Sequence, residues 1–152
     1  MGVKVKSDIG DIREYLEREY KKHLKKLINT LAYVGERVVN GVRDESLSDW
    51  NDQTGNLRSS IGYMILVDGV PVKQSDFSVV KNGEKGSKEG LRYIQSLASL
   101  YPTGIALIIV AGMDYASYVE AMDNKVVLAQ AEIEAESIIR RMIEQINNDN
   151  GK

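Results

Sequence analysis

The residues with chemistry to offer in this chain are few and far apart. Its one imidazole, His23, stands in a basic stretch, with no second His and no Cys to share a metal or a proton. The lack of Cys removes disulfides, Cys-ligated zinc and thiol nucleophiles. Ser59-Ser60 lacks the G-x-S-x-G frame of an exposed nucleophile, and His23 is the one imidazole that could serve as its base. Asp44, Asp49 and Asp52 gather in one polar stretch, but their spacing does not fit a calcium loop, which needs a fixed internal Gly and a closing Glu. The segment Gly83-Glu84-Lys85-Gly86-Ser87-Lys88 resembles a phosphate loop only faintly. It lacks the four-residue gap, the Gly-Lys-Ser/Thr ending and a strand running into it. Asp114 and Glu120 are two carboxylates among 22 acidic residues, too ordinary a pairing to mark acid–base catalysis. The expectation is a protein with no catalytic centre, no metal and no cofactor.

The elements that would position such residues follow from composition and periodicity. A chain of 152 residues, 43% hydrophobic and 28% charged, reads as one folded domain over 1–152. A net charge of −2 gives no general attraction for nucleic acid, so no specific nucleic-acid binding is expected. No stretch approaches the roughly 20 apolar residues of a membrane span. The N-terminus carries no signal-peptide core, and Met1-Gly2 is followed at position 6 by Lys6 where a myristoylation site needs Ser or Thr. The chain is expected to stay in the cytoplasm where it is made.

Residues 11–43 carry a long helical stripe: Ile12, Leu16, Tyr20, Leu24, Leu27, Leu31, Val34, Val38 and Val42 recur at spacings of three and four. Asp8 or Asp11 can cap its start, and Glu14 stands in capping-box register with Asp11. Such a helix is about 50 Å long, more than a domain of this size needs, so it either protrudes or breaks near Gly35. Gly41 marks fraying or a close helix contact. The basic residues Arg18, Lys21, Lys22, Lys25 and Lys26 form a solvated face with i,i+4 partners Glu14 and Glu17.

Residues 44–57 are polar and turn-rich, a loop holding the single Trp, Trp50. Two roles stand open for Trp50: an anchor on the core or a contact for a partner. Ser59–Val67 then alternates, with Ile61, Tyr63, Ile65 and Val67 on one face and Ser60, Gly62, Met64 and Leu66 on the other. Asp68-Gly69 between two Val residues predicts a two-residue hairpin turn with positive φ at both positions. Pro71 places the return strand at an edge. Residues 81–90 read as a mobile polar loop. Leu91, Ile94, Leu97 and Ala98 predict a helix ending near Tyr101-Pro102, and Ile105–Val110 a strand buried on both faces.

Asp114 opens a short aromatic helix over Tyr115–Glu120. A last helix carries Leu128, Ala131, Ala135, Ile138, Ile139, Met142 and Ile146 as its stripe, with Ile133 and Ile143 off it. Residues 1–8 and 147–152 are expected to fray. The predicted fold is α+β: a long N-terminal helix and a small, mainly antiparallel sheet with a β-hairpin, packed against C-terminal helices.

Two segments together resemble a known family. Thr54-Gly55-Asn56-Leu57-Arg58-Ser59-Ser60-Ile61 leads into a hairpin, and the apolar strand from Ile105 ends in Asp114-Tyr115-Ala116-Ser117-Tyr118-Val119-Glu120. This pattern is similar to that of the head–tail joining and minor tail-component, or tail-completion, proteins of long-tailed bacteriophages. Family members commonly carry a Gly soon after the second motif. Here the sequence reads Ala121-Met122-Asp123-Asn124-Lys125, which predicts a different turn into the last helix.

The resemblance implies a virion or prophage structural protein that acts without catalysis, made in the bacterial host cytoplasm and built into the neck or tail of the virion. It implies a ring of copies between neck or connector proteins and the tail tube. Thr54, Gly55, Leu57, Arg58, Asp114, Tyr115, Tyr118 and Glu120 are then motif residues with structural roles. Trp50, Asp52, Asp68, Gly69, Lys85 and Lys88, on the three polar loops, and Arg58 just after the first of them, are the expected assembly contacts. The alternative is a small bacterial protein-binding module without catalytic activity.

Overall fold

The structure is a computed structural model, described here for residues 8–44, 51–114 and 129–149. It is α+β. The long helix α1 runs unbroken from Ile9 to Arg43, and Asp8 caps it by accepting the Gly10 N–H at 3.1 Å. Gly35 does not break it. Instead α1 protrudes. Leu31, Ala32, Val34, Val38 and Val39 are buried, whereas Ile9, Ile12, Leu16 and Tyr20 are 78%, 49%, 60% and 62% exposed. The apolar stripe continues along α1 after the core that it could cover has ended.

The sheet has strand order β2-β1-β3, with β1 (Ile61–Val67), β2 (Val70–Gln74) and β3 (Ile105–Ala111) all antiparallel to their neighbours. The hairpin turn between β1 and β2 has φ of 49° at Asp68 and 78° at Gly69, as the Asp-Gly pair requires. β2 is an exposed edge. Its register shifts between Ile65 and Leu66, and Pro71 lies opposite Leu66. The bulge and the proline both disfavour addition of a further strand.

β1 separates two cores. Ile61, Tyr63 and Ile65 face α1 and pack with Leu31, Ala32, Val39 and Leu57. Met64 and Leu66 face the other way, onto Phe77, Ile94, Ile108 and Val110. The rings on the two faces sit over glycines: a Cβ on Gly35 would lie 2.6 Å from the Tyr63 ring, and one on Gly62 2.4 Å from the Phe77 ring. β1 is the more deeply buried strand, but β3 also packs on both faces as its six-residue apolar run suggested, with Ile108 and Val110 toward Phe77 and Leu107 and Ile109 half-buried toward α1 and the last helix. β3 is the second edge; Ile108 and Val110 are buried, but Ile105 is exposed.

The second face is covered by α3 (Glu84–Ala98), reached from β2 through residues 75–83. The expected mobile loop at 81–90 is therefore corrected, since residues 84–90 are the first turns of this helix. Gly86 and Gly90 let it press onto the chain leading into β1; a Cβ on Gly86 would stand 1.8 Å from the Asn56 carbonyl oxygen. The last helix, α4 (Ala129–Asp149), lies against α1, with Ala135 buried beside Val34 and Val38 and with Ile138, Ile139 and Met142 packed around them. It runs on through 147–149, where fraying was expected. Ile133 and Ile143 are exposed off this contact, and Glu136 pairs with Arg140 at 2.6 Å. The short aromatic helix expected over Tyr115–Glu120 lies outside the described residues.

Candidate functional site

The first motif folds into a buried junction. Asp52 accepts the Gly55 N–H at 2.9 Å and the Arg58 N–H at 2.8 Å, so its carboxylate holds the single turn of α2 (Asn56–Ser59). Gly55 sits at φ 80°, and a Cβ there would lie 1.9 Å from the Val80 carbonyl oxygen; no other residue fits. Leu57 enters the core beneath α1. Arg58 Nη1 donates at 3.0 Å to the carbonyl of Arg43, the last residue of α1, putting a cation at the negative end of the helix dipole. Thr54 remains at the surface, its Oγ1 accepting the Asn56 N–H at 3.3 Å.

The expected assembly contacts do not form one surface. Asp52 and Arg58 are 5% and 1% exposed, the Asp52 carboxylate accepting two backbone N–H groups and Arg58 Nη1 donating to the Arg43 carbonyl, so neither is presented to a partner. The polar character that suggested a surface role serves the junction instead. Asp68 and Gly69 form the hairpin tip at the far end of β1, about 20 Å from the junction at the usual rise per strand residue. Lys85 and Lys88 are exposed near the start of α3, at the junction end. Asp114 is exposed just past β3. Trp50, Tyr115, Tyr118 and Glu120 lie outside the described residues.

A cleft of about 350 Å³ between α1, β1 and the chain after β2 was not read from the sequence. Tyr63 Oη donates to Glu36 Oε1 at 3.1 Å, and Lys73 Nζ stands 3.7 Å from the same oxygen. Burial, with the Glu36 hydrogen bond and charge adding to it, pushes the Tyr63 phenol up to about 12. At neutral pH this group is a fixed donor, not a base. Across the cleft, Arg43 donates to the Ser78 carbonyl, and its guanidinium is held below its ordinary value by burial, partly offset by Asp76. Asp76 sits below the ordinary carboxylate range, chiefly because the Ser78 hydroxyl donates to it at 2.6 Å. These charges are already matched within the cleft, an arrangement suited to holding α1 against the sheet. Among the described residues no group of three or more His, Asp or Glu side chains is placed to hold a metal ion.

The largest unassigned feature is the apolar stripe on the projecting half of α1. The sequence periodicity finds Ile12, Leu16 and Tyr20 but not Ile9, and gives no sign of where the core stops. No described helix is long and apolar enough to cross a membrane. The chain matches no protein-family model, no curated protein and no solved structure.

Proposed function

We propose that this chain is a structural protein of a long-tailed phage or prophage that acts in head–tail joining or tail completion, as a ring of copies between neck proteins and the tail tube. Its role is assembly, without catalysis. The observation that carries this proposal is the projecting half of α1, an ordered helix whose apolar stripe is turned to solvent instead of the core. A chain that completes itself only among other chains keeps such a surface. The likeness of Thr54–Ile61 to the family motif adds support, with Gly55, Leu57 and Arg58 holding the end of α1 to the start of β1.

A ring requires heterologous contacts, in which two different patches on each copy meet. The hairpin tip at Asp68-Gly69 and the lysines Lys85 and Lys88 lie at opposite ends of the sheet, as two such patches would.

Native mass spectrometry of the chain co-expressed with the neck and tail-tube proteins encoded beside it tests this. The expected result is a closed ring bound to one of them. A chain that binds none of these proteins, or a locus with no virion genes, refutes the proposal and favours a protein-binding module of another kind.

A further inference from the structure

We propose that the open edge of β3 receives residues 2–6 of a second copy as a fourth strand, carried there by the projecting half of α1. This inference does not rest on the phage role.

The backbone of β3 defines what its edge accepts. The Asp68 N–H donates to the Gly104 carbonyl and the Gly112 N–H to the Ser60 carbonyl, and the β1–β3 register runs unshifted between these two bonds. In an antiparallel ladder such bonds fall on alternate residues. Ala106, Ile108 and Val110 therefore bond to β1, while Ile105, Leu107, Ile109 and Ala111 turn their N–H and C=O groups to the open side. Among the described residues no strand lies beyond them. The two edges of the sheet are unlike. β2 is guarded by Pro71, Lys73 and a bulge, whereas β3 carries no proline, no charge and no bulge along its seven residues. Such an edge is completed by an extended chain bonded through its backbone.

The sequence supplies one segment of that character. Gly2-Val3-Lys4-Val5-Lys6 alternates apolar and charged residues, the pattern of a strand with one covered face. Beside β3, Val3 and Val5 extend the layer of Leu107 and Ile109, which are half-buried toward α1 and α4. Lys4 and Lys6 then stand on the other face of the new edge, where they oppose the addition of any further strand.

Reach decides which copy supplies the strand. Leu31 packs in one cluster with Ile65 and Leu107, so β3 of the same chain lies beside that part of α1. Ile9 is about 33 Å from Leu31 along the helix at the usual rise per residue. From Ile9 back to Val5 the chain spans at most about 14 Å. The segment cannot return to its own β3, and the projection of α1 holds it clear of its own sheet. Each copy thus has a donor strand and an acceptor edge at separate places, the arrangement of a heterologous contact.

Sedimentation equilibrium of the full chain across the micromolar range is expected to give at least twice the monomer mass of 17.0 kDa. Val5→Pro removes a strand N–H and is expected to raise the dissociation constant at least about tenfold. Val5→Ile keeps the strand character and is expected to associate as the native chain does. Hydrogen exchange locates the contact: the Leu107 and Ile109 amides are expected to be protected in the native oligomer and to exchange faster in Val5→Pro. A full chain that is monomeric throughout the range overturns the inference. So does a Val5→Pro chain that associates as tightly as the native one, which places the contact elsewhere. Slow exchange at Leu107 and Ile109 in monomeric Val5→Pro also overturns it, because the edge is then covered by the chain's own residues.

Discussion

Asp68 and Gly104 exchange a reciprocal pair of hydrogen bonds. The Asp68 N–H donates to the Gly104 carbonyl at 2.8 Å, and the Gly104 N–H donates to Asp68 Oδ1 at 2.8 Å. The tip of the β1–β2 hairpin is thereby fastened to the turn that starts β3. Asp68→Ala removes the side-chain acceptor and places a Cβ residue with no local compensation at φ 49°. Urea denaturation is expected to show a loss of about 1–2 kcal/mol. Asp68→Asn keeps both the acceptor and the tolerance for positive φ, so its loss should stay within about 0.5 kcal/mol.

Two glycines of α1 predict opposite outcomes for one substitution. Helix propensity alone favours Ala over Gly by about 0.8–1.0 kcal/mol. At Gly41 nothing lies within 4 Å of the new Cβ, so Gly41→Ala should stabilise by up to that amount. At Gly35 the Cβ would meet the buried Tyr63 ring at 2.6 Å. Overpacking costs about 1–3 kcal/mol, so Gly35→Ala should be net destabilising. Equilibrium unfolding of both variants decides whether contact or propensity governs each site.

Arg58 joins the end of α1 to the lead-in of β1 from a buried position. Arg58→Ala should lose about 2–4 kcal/mol, since it strands the Arg43 carbonyl and opens a cavity. Arg58→Lys keeps the charge but not the planar fork, and should recover less than half of that loss. Asp52→Ala frees two backbone N–H groups that it now accepts, and should cost about 1–2 kcal/mol. Urea midpoints for the three variants check this order.

Tyr63 gives stability an alkaline limb. Its phenol is raised in the folded protein from 10.0 to about 12, so the unfolded chain releases this proton first as pH rises. The contribution of Tyr63 is complete below about pH 10 and is lost as pH climbs toward 12. Thermal midpoints taken from pH 8 upward should therefore fall more steeply for the native chain than for Tyr63→Phe. Parallel curves for the two would refute a raised phenol.

What the sequence disclosed depended on whether the determining interaction was local. The Asp68-Gly69 turn and the two-faced alternation of β1 were legible because φ preference and a period of two act over a few residues. The helical start of 81–90 was not, because its glycines and polar residues have the local signature of a loop. Their placement answers a distant demand: Gly86, Gly90 and Ile94, spaced four apart on one face, must approach Asn56, Ser60 and the core closely. That spacing was the signal available. The run at 105–110 disclosed layers on both faces of β3 but not its place at the end of the strand order. Apolar composition reports what lies above and below a strand, not how many strands lie beside it. The burial of Asp52 and Arg58 was likewise hidden, because a charged residue that caps backbone looks the same in sequence as one that meets solvent.

The two ring-over-glycine contacts on β1 have a further consequence. Adjacent residues, Gly62 and Tyr63, present the smallest and the bulkiest profile of the strand to opposite layers, where Phe77 and Gly35 offer the matching shapes. Sliding β1 by one position would drive the Tyr63 ring into Phe77 and leave a void over Gly35. The strand is keyed like an asymmetric plug that seats in one register alone. This discrimination against slipped pairings is achieved by shape, with no buried charge needed to enforce it.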